Sequence, residues 1–358
     1  MDSTMDSPGE MLRETASRLF QEHCETKVLR EAEQDVWPAA AWAAVEEAGL
    51  HRALVPEEAG GFGVAIPDAL SLLRVAGEHA LPLPLAETML ASWLLAGARL
   101  DIPDGPLTVA PVATGEALRL VREGGGWRID GTATRVPWGR SPGISVVVLA
   151  QHEGRALIAS VPAGFFQASP EENLAREPRD TLRFNGVLPA ENVEPAADGI
   201  GPLQLRAVGA AMRSLQMAGA LTRIVAISTQ YAQDRVQFGR PIGKFQAVQH
   251  NLAVLAGQTA AAIAAADLAA EAVANGVSLL PIAAAKSRAG EAAGLGAGIA
   301  HQVHGAIGFT YEHSLHFSTK RLWSWRDEFG NEAEWNLLIG RHMARAGADR
   351  LWAEITAA

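Results

Sequence analysis

The sequence predicts an α+β protein of several domains, in which a β domain interrupts two helical ones. Three observations carry that reading. From residue 8 to about 103, and again from 201 onward, apolar residues recur at three- and four-residue spacing, the period of an amphipathic helix. Between these zones, from 106 to about 200, the chain consists of short β-branched runs separated by Gly and Pro, the pattern of strands and their turns. At 358 residues with 48% hydrophobic composition, there is material for one large domain or two to three ordinary ones, with a sizeable core.

In chain order, the first domain (1–105) holds the helical segments "GEMLRETASRLFQEHCE", "AAWAAVEEAGL", "AIPDALSLLRVAGEHA" and "PLAETMLASWLLAGARL". A glycine-rich loop, "VPEEAGGFG", separates two of them. The second domain (106–200) holds "LTVAPVA", "GWRIDGTATRVPWG", "ISVVVLAQ", "RALIASVPA" and "DTLRFNGVLP", read as strands of a small antiparallel sheet. The third (201–358) opens with a long helix, "LRAVGAAMRSLQMAGALTRIVAISTQYAQDRVQF", stopped by Gly239 and Pro241. A second helix starts in "KFQAVQHNLAVL" and ends at Asn275-Gly276. A third, "LPIAAAKSRAGEAAGLGAGIAHQVHG", has Pro281 near its start. Their Ala and Gly content lets helices approach closely, which suits a bundle.

Composition excludes several functions. A net charge of −10 argues against nucleic acid as the main partner, since phosphate neutralisation needs a basic face. The single cysteine, Cys24, allows no intramolecular disulfide and disfavours a thiolate zinc site. The acidic start "MDSTMDSPGE" lacks a signal pattern. Gln258, Asp267 and Glu271 interrupt the Ala-rich stretch 252–274, so no membrane span is expected. A cytoplasmic protein is expected.

Three clusters could carry chemistry. In "RVQFGRPIGKFQAVQH" (235–250), an arginine, a phenylalanine and two glutamines flank one short loop. Such a set can bind a phosphate and a base or ribose; it also fits a solvated helix end. Phe245, Val248, Leu252 and Leu255 share one helical face and are expected in the core. In "HQVHGAIGFTYEHSLH" (301–316), the histidines pair at three-residue spacing, but no acidic ligand set accompanies them and no metal is expected. "GLGAG" (294–298) follows no strand and is not a dinucleotide fingerprint. In "KRLWSWRDEFGNEAEW" (320–335), carboxylates lie among three tryptophans. The segment fits an exposed helix face, yet a carboxylate beside aromatic bulk has the raised proton affinity that a general base needs.

The order of these clusters resembles the acyl-CoA dehydrogenase family across essentially the whole chain. "VPEEAGGFG" is similar to that family's N-terminal loop, "YAQDRVQFGRPIGKFQAVQHNLA" to its most recognisable signature, and "AAAKSRAGEAA…QVHGAIGFTYEHSLH" to its second. The resemblance implies a helical N-terminal domain, a middle β domain and a C-terminal four-helix bundle. It implies that Arg235, Phe238 and Gln246 bind the adenine and pyrophosphate parts of FAD, and that Gln302, Gly305 and Ala306 form the second flavin segment, reaching a neighbouring subunit's flavin. The chemistry implied is α,β-dehydrogenation of an acyl-CoA thioester: a carboxylate takes the α-proton while the β-hydrogen leaves as hydride to the flavin. An electron-transfer flavoprotein is the implied acceptor.

Three departures from the family pattern are visible. The family's catalytic glutamate precedes a glycine, and the matching residue here is Phe329, before Gly330; Glu328, one residue earlier, is the nearest candidate base, with Asp327 next. Some relatives place the base on the first long helix of the C-terminal domain, but "RAVGAAMRS" contains no acid. The middle domain carries "VAPVATGEALRL" in place of the Thr-Glu-Pro and Gly-Ser-Asp flavin segment, and "RVPWG", with Trp138, in place of the tryptophan-threonine wall. The chain is similar to compact bacterial subunits of lipid or steroid catabolism, some of which pair with a paralogue. The readings are therefore a homo- or hetero-oligomeric dehydrogenase, a catalytically silent subunit completing a paralogue's FAD site, and a flavin monooxygenase-type enzyme on the same fold.

Overall fold

The computed structural model describes residues 8–356. Contacts divide the chain into two units. One gathers the chain up to Ala69 with Pro82–Gly209, and the other gathers Leu70–Leu81 with the chain from Ala210.

The first unit holds α1 (Pro8–His23), α2 (Thr26–Ala32), α3 (Ala39–Glu47), the first turn of α4 (Ile66–Glu78), and α5 (Leu85–Gly97). α1 is amphipathic and buries Ala16 and Phe20, while α3 buries Ala41, Trp42 and Val45. α5 is apolar on nearly every side and is buried from Leu85 to Leu95 except at Trp93. It lies against the sheet, where the Thr88 hydroxyl accepts from the Leu107 N–H at 3.1 Å and donates to the Leu107 carbonyl at 3.2 Å.

The sheet comprises β1 (Leu107–Ala110), β2 (Arg119–Glu123), β3 (Gly126–Pro137), β4 (Ser145–His152), β5 (Arg155–Val161), β6 (Gln167–Ser169), β7 (Arg179–Leu188) and β8 (Val193–Pro195). They run in the order β6-β7-β3-β2-β4-β5-β8, with β1 beside β4. The long pairings are antiparallel, as the sequence predicts; the exceptions are β1, parallel along β4, and a single parallel bridge between Arg119 and Gln151. β4 is buried from Ser145 to Ala150, so its unbroken apolar run reflects cover on both faces rather than alternation. A bulge between Ala133 and Val136, with Arg135 at φ 55°, bends β3 before Trp138.

The second unit is built from α6 (Pro202–Asp234, from Ala210), α7 (Gln246–Ala274), α8 (Leu279–His304), α9 (Leu315–Asp327), α10 (Glu332–Ala346) and α11 (Leu351–Thr356), with a small hairpin of β9 (Val236–Gln237) and β10 (Arg240–Pro241). Its core joins Met217, Leu221 and Ile224 of α6 with Leu255 and Ala262 of α7, Ala289, Ala293 and Ala297 of α8, and Leu322 and Trp325 of α9. Small residues permit this closeness. A Cβ on Gly219 would sit 1.9 Å from the Arg74 carbonyl, and one on Gly77 would sit 2.0 Å from that of Gln216, so α4 and α6 touch backbone to backbone. The "GLGAG" run lies within α8, as expected, and a Cβ on its Gly296 would meet Leu221 at 2.8 Å.

α7 differs from its sequence expectation. By length and composition alone it is long and apolar enough to cross a membrane, despite Gln258, Asp267 and Glu271. In the structure it buries Leu255, Ala262, Ala266 and Ala269 while Asp267 pairs with Arg74 at 3.0 Å. Of the face expected in the core, only Leu255 is buried; Phe245, Val248 and Leu252 are half-buried.

Candidate functional site

The first cluster is a hairpin with a two-residue turn. Gln237 pairs with Arg240, leaving Phe238 at φ 52° and Gly239 at φ 77°. Both turn residues having positive φ is the geometry that matches strand twist, and it normally selects Asn-Gly. A bulky phenylalanine there is strained and points outward, with 93% of its surface exposed. The surroundings are built to present it. The Arg240 guanidinium covers the Phe245 ring at 4.3 Å, and Phe238 stands edge-on to that ring at 6.1 Å. Gln249 is used locally, donating to the Gly243 carbonyl at 2.9 Å, whereas Arg235 and Gln246 are exposed.

The second cluster closes α8. Gln302 is exposed, while His301 and His304 turn inward. Gly305 ends the helix at φ 63°, ψ −143° with nothing within 4 Å of where a Cβ would be, and Ala306 follows in an exposed turn of 3₁₀ helix, Gly305–Phe309. The histidines form a stacked aromatic group rather than a ligand set. His304 stacks on Tyr231 at 4.5 Å and meets His313 at 4.7 Å, and His301 stacks on Phe309 at 4.4 Å and Trp323 at 5.5 Å. Tyr231 is on α6, three residues after Ser228 and four before Arg235, so it ties the first cluster to the second.

Burial pushes His301, His304 and His313 below the ordinary histidine value of 6.5; a neighbouring imidazole, His316 for His301 and His313 for His304, adds to the effect. The folded state therefore binds fewer protons than the unfolded chain as the pH falls through 6.5. Stability from these groups is present above that value and declines below it. Thermal midpoints measured from pH 7.5 to 5 are expected to fall on the acid side, and His304→Gln is expected to flatten part of that slope.

The third cluster stands at the far end of α9, about 18 Å from its start at 1.5 Å rise per residue. Here the chain turns from α9 into α10 through Glu328, Phe329 at φ 54° and Gly330 at φ 98°. Several backbone carbonyls of this turn are fastened by side chains. The Lys286 ammonium, on α8, donates to the carbonyls of Arg326 at 2.6 Å and Gly330 at 2.8 Å. The Trp335 indole donates to the Phe329 carbonyl at 3.1 Å. Asn331 caps α10 by accepting from the Glu334 N–H. Burial pushes Lys286 down to about 7, against the opposing pull of Glu332, Glu328 and Asp327.

Glu328 is itself buried, and the Arg213 Nε of α6 donates to its Oε2 at 2.7 Å. The same guanidinium donates to the Gln216 amide oxygen and lies 5.6 Å over the Phe329 ring. Asp327 is exposed. Removing one partner of a buried ion pair costs about 3–5 kcal/mol. Trp335 is one of the three tryptophans of 320–335, whereas Arg213 and Lys286 are not among the candidates that the sequence offers. The signal for these two was a cation within an apolar helical stretch, alone in "GAAMRSLQMAGAL" and followed by Arg288 in "IAAAKSRAG".

Residues 8–97 match the acyl-CoA dehydrogenase N-terminal domain and residues 205–326 its C-terminal domain. Acyl-CoA dehydrogenase IpdE2 of Mycobacterium tuberculosis is 30% identical over 87% of this chain and 90% of that protein. The chain belongs to the acyl-CoA dehydrogenase family. IpdE2 of Mycolicibacterium smegmatis is 29% identical over 88% of this chain and 93% of its own. Among solved structures, a chain of the ChsE4-ChsE5 complex of M. tuberculosis superposes with a TM-score of 0.87 at 25% identity, over 97% of this chain and all of that one. As an acyl-CoA dehydrogenase-type oxidoreductase, the chain has the helical, β and helical order of that fold, and family membership implies a flavin cofactor.

Proposed function

We propose that this chain, with FAD, carries out the α,β-dehydrogenation of an acyl-CoA thioester to the 2-enoyl-CoA, with Glu328 as the carboxylate for the α-proton. The observation that carries the cofactor half is Phe238. A bulky side chain at positive φ is costly, by about 1–3 kcal/mol, and persists where the surroundings over-determine it and function uses it. An exposed aromatic ring next to the Arg235 and Arg240 cations and the Gln246 amide suits an aromatic heterocycle bearing phosphates. Gly305 offers backbone with open space above it, flanked by exposed Gln302 and Ala306, which suits close approach of the same kind of group. These residues therefore fit FAD. FAD, when bound, supplies the acceptor for the β-hydrogen. The chain's own tasks are to hold the cofactor, orient the acyl group and accept the α-proton.

Arg235→Ala tests the cofactor assignment. A charge-assisted contact to a phosphate contributes about 1.5–3 kcal/mol, so affinity is expected to fall on the order of ten- to a hundredfold. The readout is flavin retained through dialysis, with its identity as FAD checked after denaturation. Full retention in the variant would count against the assignment.

A second reading is favoured by one observation. Phe329 stands where the family resemblance places the base, and the neighbouring Glu328 is held by Arg213. A subunit built this way contributes its cofactor-binding surface to a paralogue and does no proton transfer itself. The ChsE4-ChsE5 neighbour is a complex of two different chains. Purifying this chain alone and beside a co-encoded paralogue separates the readings: flavin and activity that appear only in the mixture support the second.

A further inference from the structure

We propose that His304 is the positioning residue of the turn Gly305–Phe309, and that a proton taken up by its imidazole lifts that turn and releases the flavin. The inference rests on the reading of Gly305 and Ala306 as part of the cofactor site. The packing carries it. His304 is the last residue of α8, is 3% exposed, and has the turn folded directly onto it. A Cβ on the buried Gly308 would sit 2.9 Å from the Cβ of His304 and 3.4 Å from Nδ1 of His301. Phe309 then stacks on His301 at 4.4 Å. The turn is thus laid on two imidazoles, while its Gly305 and Ala306 stay exposed.

The place that His304 occupies suits a neutral ring. Nδ1 donates to the Ala300 carbonyl at 2.8 Å, which puts the single proton of the neutral ring on that nitrogen. Nε2 is buried and has no hydrogen-bond partner among the described residues. A second proton would create an N–H without an acceptor and a charge without water. The Tyr231 ring, stacked at 4.5 Å, attracts a cation but does not replace an acceptor. The titratable and charged groups of the surrounding elements supply little to offset this. α8 adds His301. The end of α6 adds Tyr231, Asp234 and Arg235, and the Asp234 carboxylate accepts from Gln230. The loop before α9 adds Glu312, which is exposed, and His313, whose ring meets His304 at 4.7 Å. α9 adds His316 and Lys320, and α7 adds His250, which is exposed. Burial lowers the proton affinity of His304, and His313 and His301 lower it further, against the pull of the Ala300 carbonyl. The folded ring therefore takes its second proton below 6.5, and it does so most readily where the lifted turn lets water reach Nε2. Flavin favours the closed turn and the proton the lifted one, so the two compete. Each pH unit below the folded value weakens retention about tenfold.

The test compares wild type with His304→Phe, which keeps a ring in the stack and does not titrate. The protein is used as purified, with its cofactor and any paralogue that co-purifies. Two quantities are followed from pH 7.5 to 5: the dissociation constant for FAD, and the hydrogen-exchange protection of residues 305–313 relative to the intrinsic rate at each pH. Wild type is expected to weaken for FAD on the order of tenfold or more and to lose protection over the same interval, with its helical content kept. His304→Phe is expected to hold FAD about equally at both ends of the range, with protection unchanged. A packing defect alone shifts affinity at every pH and leaves the slope in place, so loss of the slope is specific to the titrating ring. His304→Gln, which carries no proton in this range either, serves for the same comparison if His304→Phe does not fold. Wild-type affinity or protection that is independent of pH overturns the proposal, and so does a slope that persists in the variant. Protein that holds no flavin at any pH counts instead against the cofactor site, and the protection of the turn then decides the role of His304 by the same criterion.

Discussion

Lys286→Met is expected to loosen the turn that carries Glu328 and to lower the stability of the C-terminal unit. The substitution keeps the apolar stem and removes the donor that serves the Arg326 and Gly330 carbonyls. Each carbonyl left buried without a partner costs about 1–3 kcal/mol, partly offset by relief of burying an ammonium. The sign with pH follows from the lowered value. Lys286 titrates near 7 when folded and 10.5 when unfolded, so between those values the unfolded chain binds more protons. Stability from this site is fully present above 10.5 and is lost as the pH falls to about 7. Unfolding midpoints at pH 7 and 9 check both parts. The variant should be less stable than wild type at pH 9, and the rise from 7 to 9 should shrink.

Glu328→Gln is expected to lower substrate-driven bleaching of the flavin by on the order of a hundred- to ten-thousandfold, the usual weight of a general base, with flavin content unchanged. The separation arises because the Gly305 segment precedes the start of α9, whereas Glu328 follows its end. Rapid anaerobic mixing of variant and wild type with acyl-CoA gives the number. Equal rates would make Glu328 a structural partner of Arg213 and nothing more.

What the sequence disclosed and what it hid follow from the range of the interactions. Helices and turns are local. Gly239 and Pro241 mark the end of α6 and its hairpin because only particular residues adopt those dihedrals. The β runs announce themselves by composition, but the parallel placement of β1 beside β4 depends on a pairing that skips two strands. The core reading of Phe245, Val248 and Leu252 failed for a related reason. Helical period finds the apolar face, whereas how deeply it is buried is set by what packs on it, and within this chain little does. Phe238 and Gln302 could be named from motif resemblance. Arg213 and Glu328 are 115 residues apart, and no spacing rule connects them. A lone cation in an Ala-rich helix is the trace they leave, because a charge on a buried face requires a partner.

The central claim is that this chain serves oxidation of an acyl-CoA through bound FAD. Its most direct test is anaerobic titration of the purified chain, alone and with a co-encoded paralogue, against acyl-CoA thioesters of increasing bulk, following the flavin absorbance. Bound FAD is expected, with bleaching by at least one thioester and the 2-enoyl-CoA recovered in proportion. Protein that carries no flavin in either preparation, or flavin that stays oxidised with every thioester in both, would contradict it.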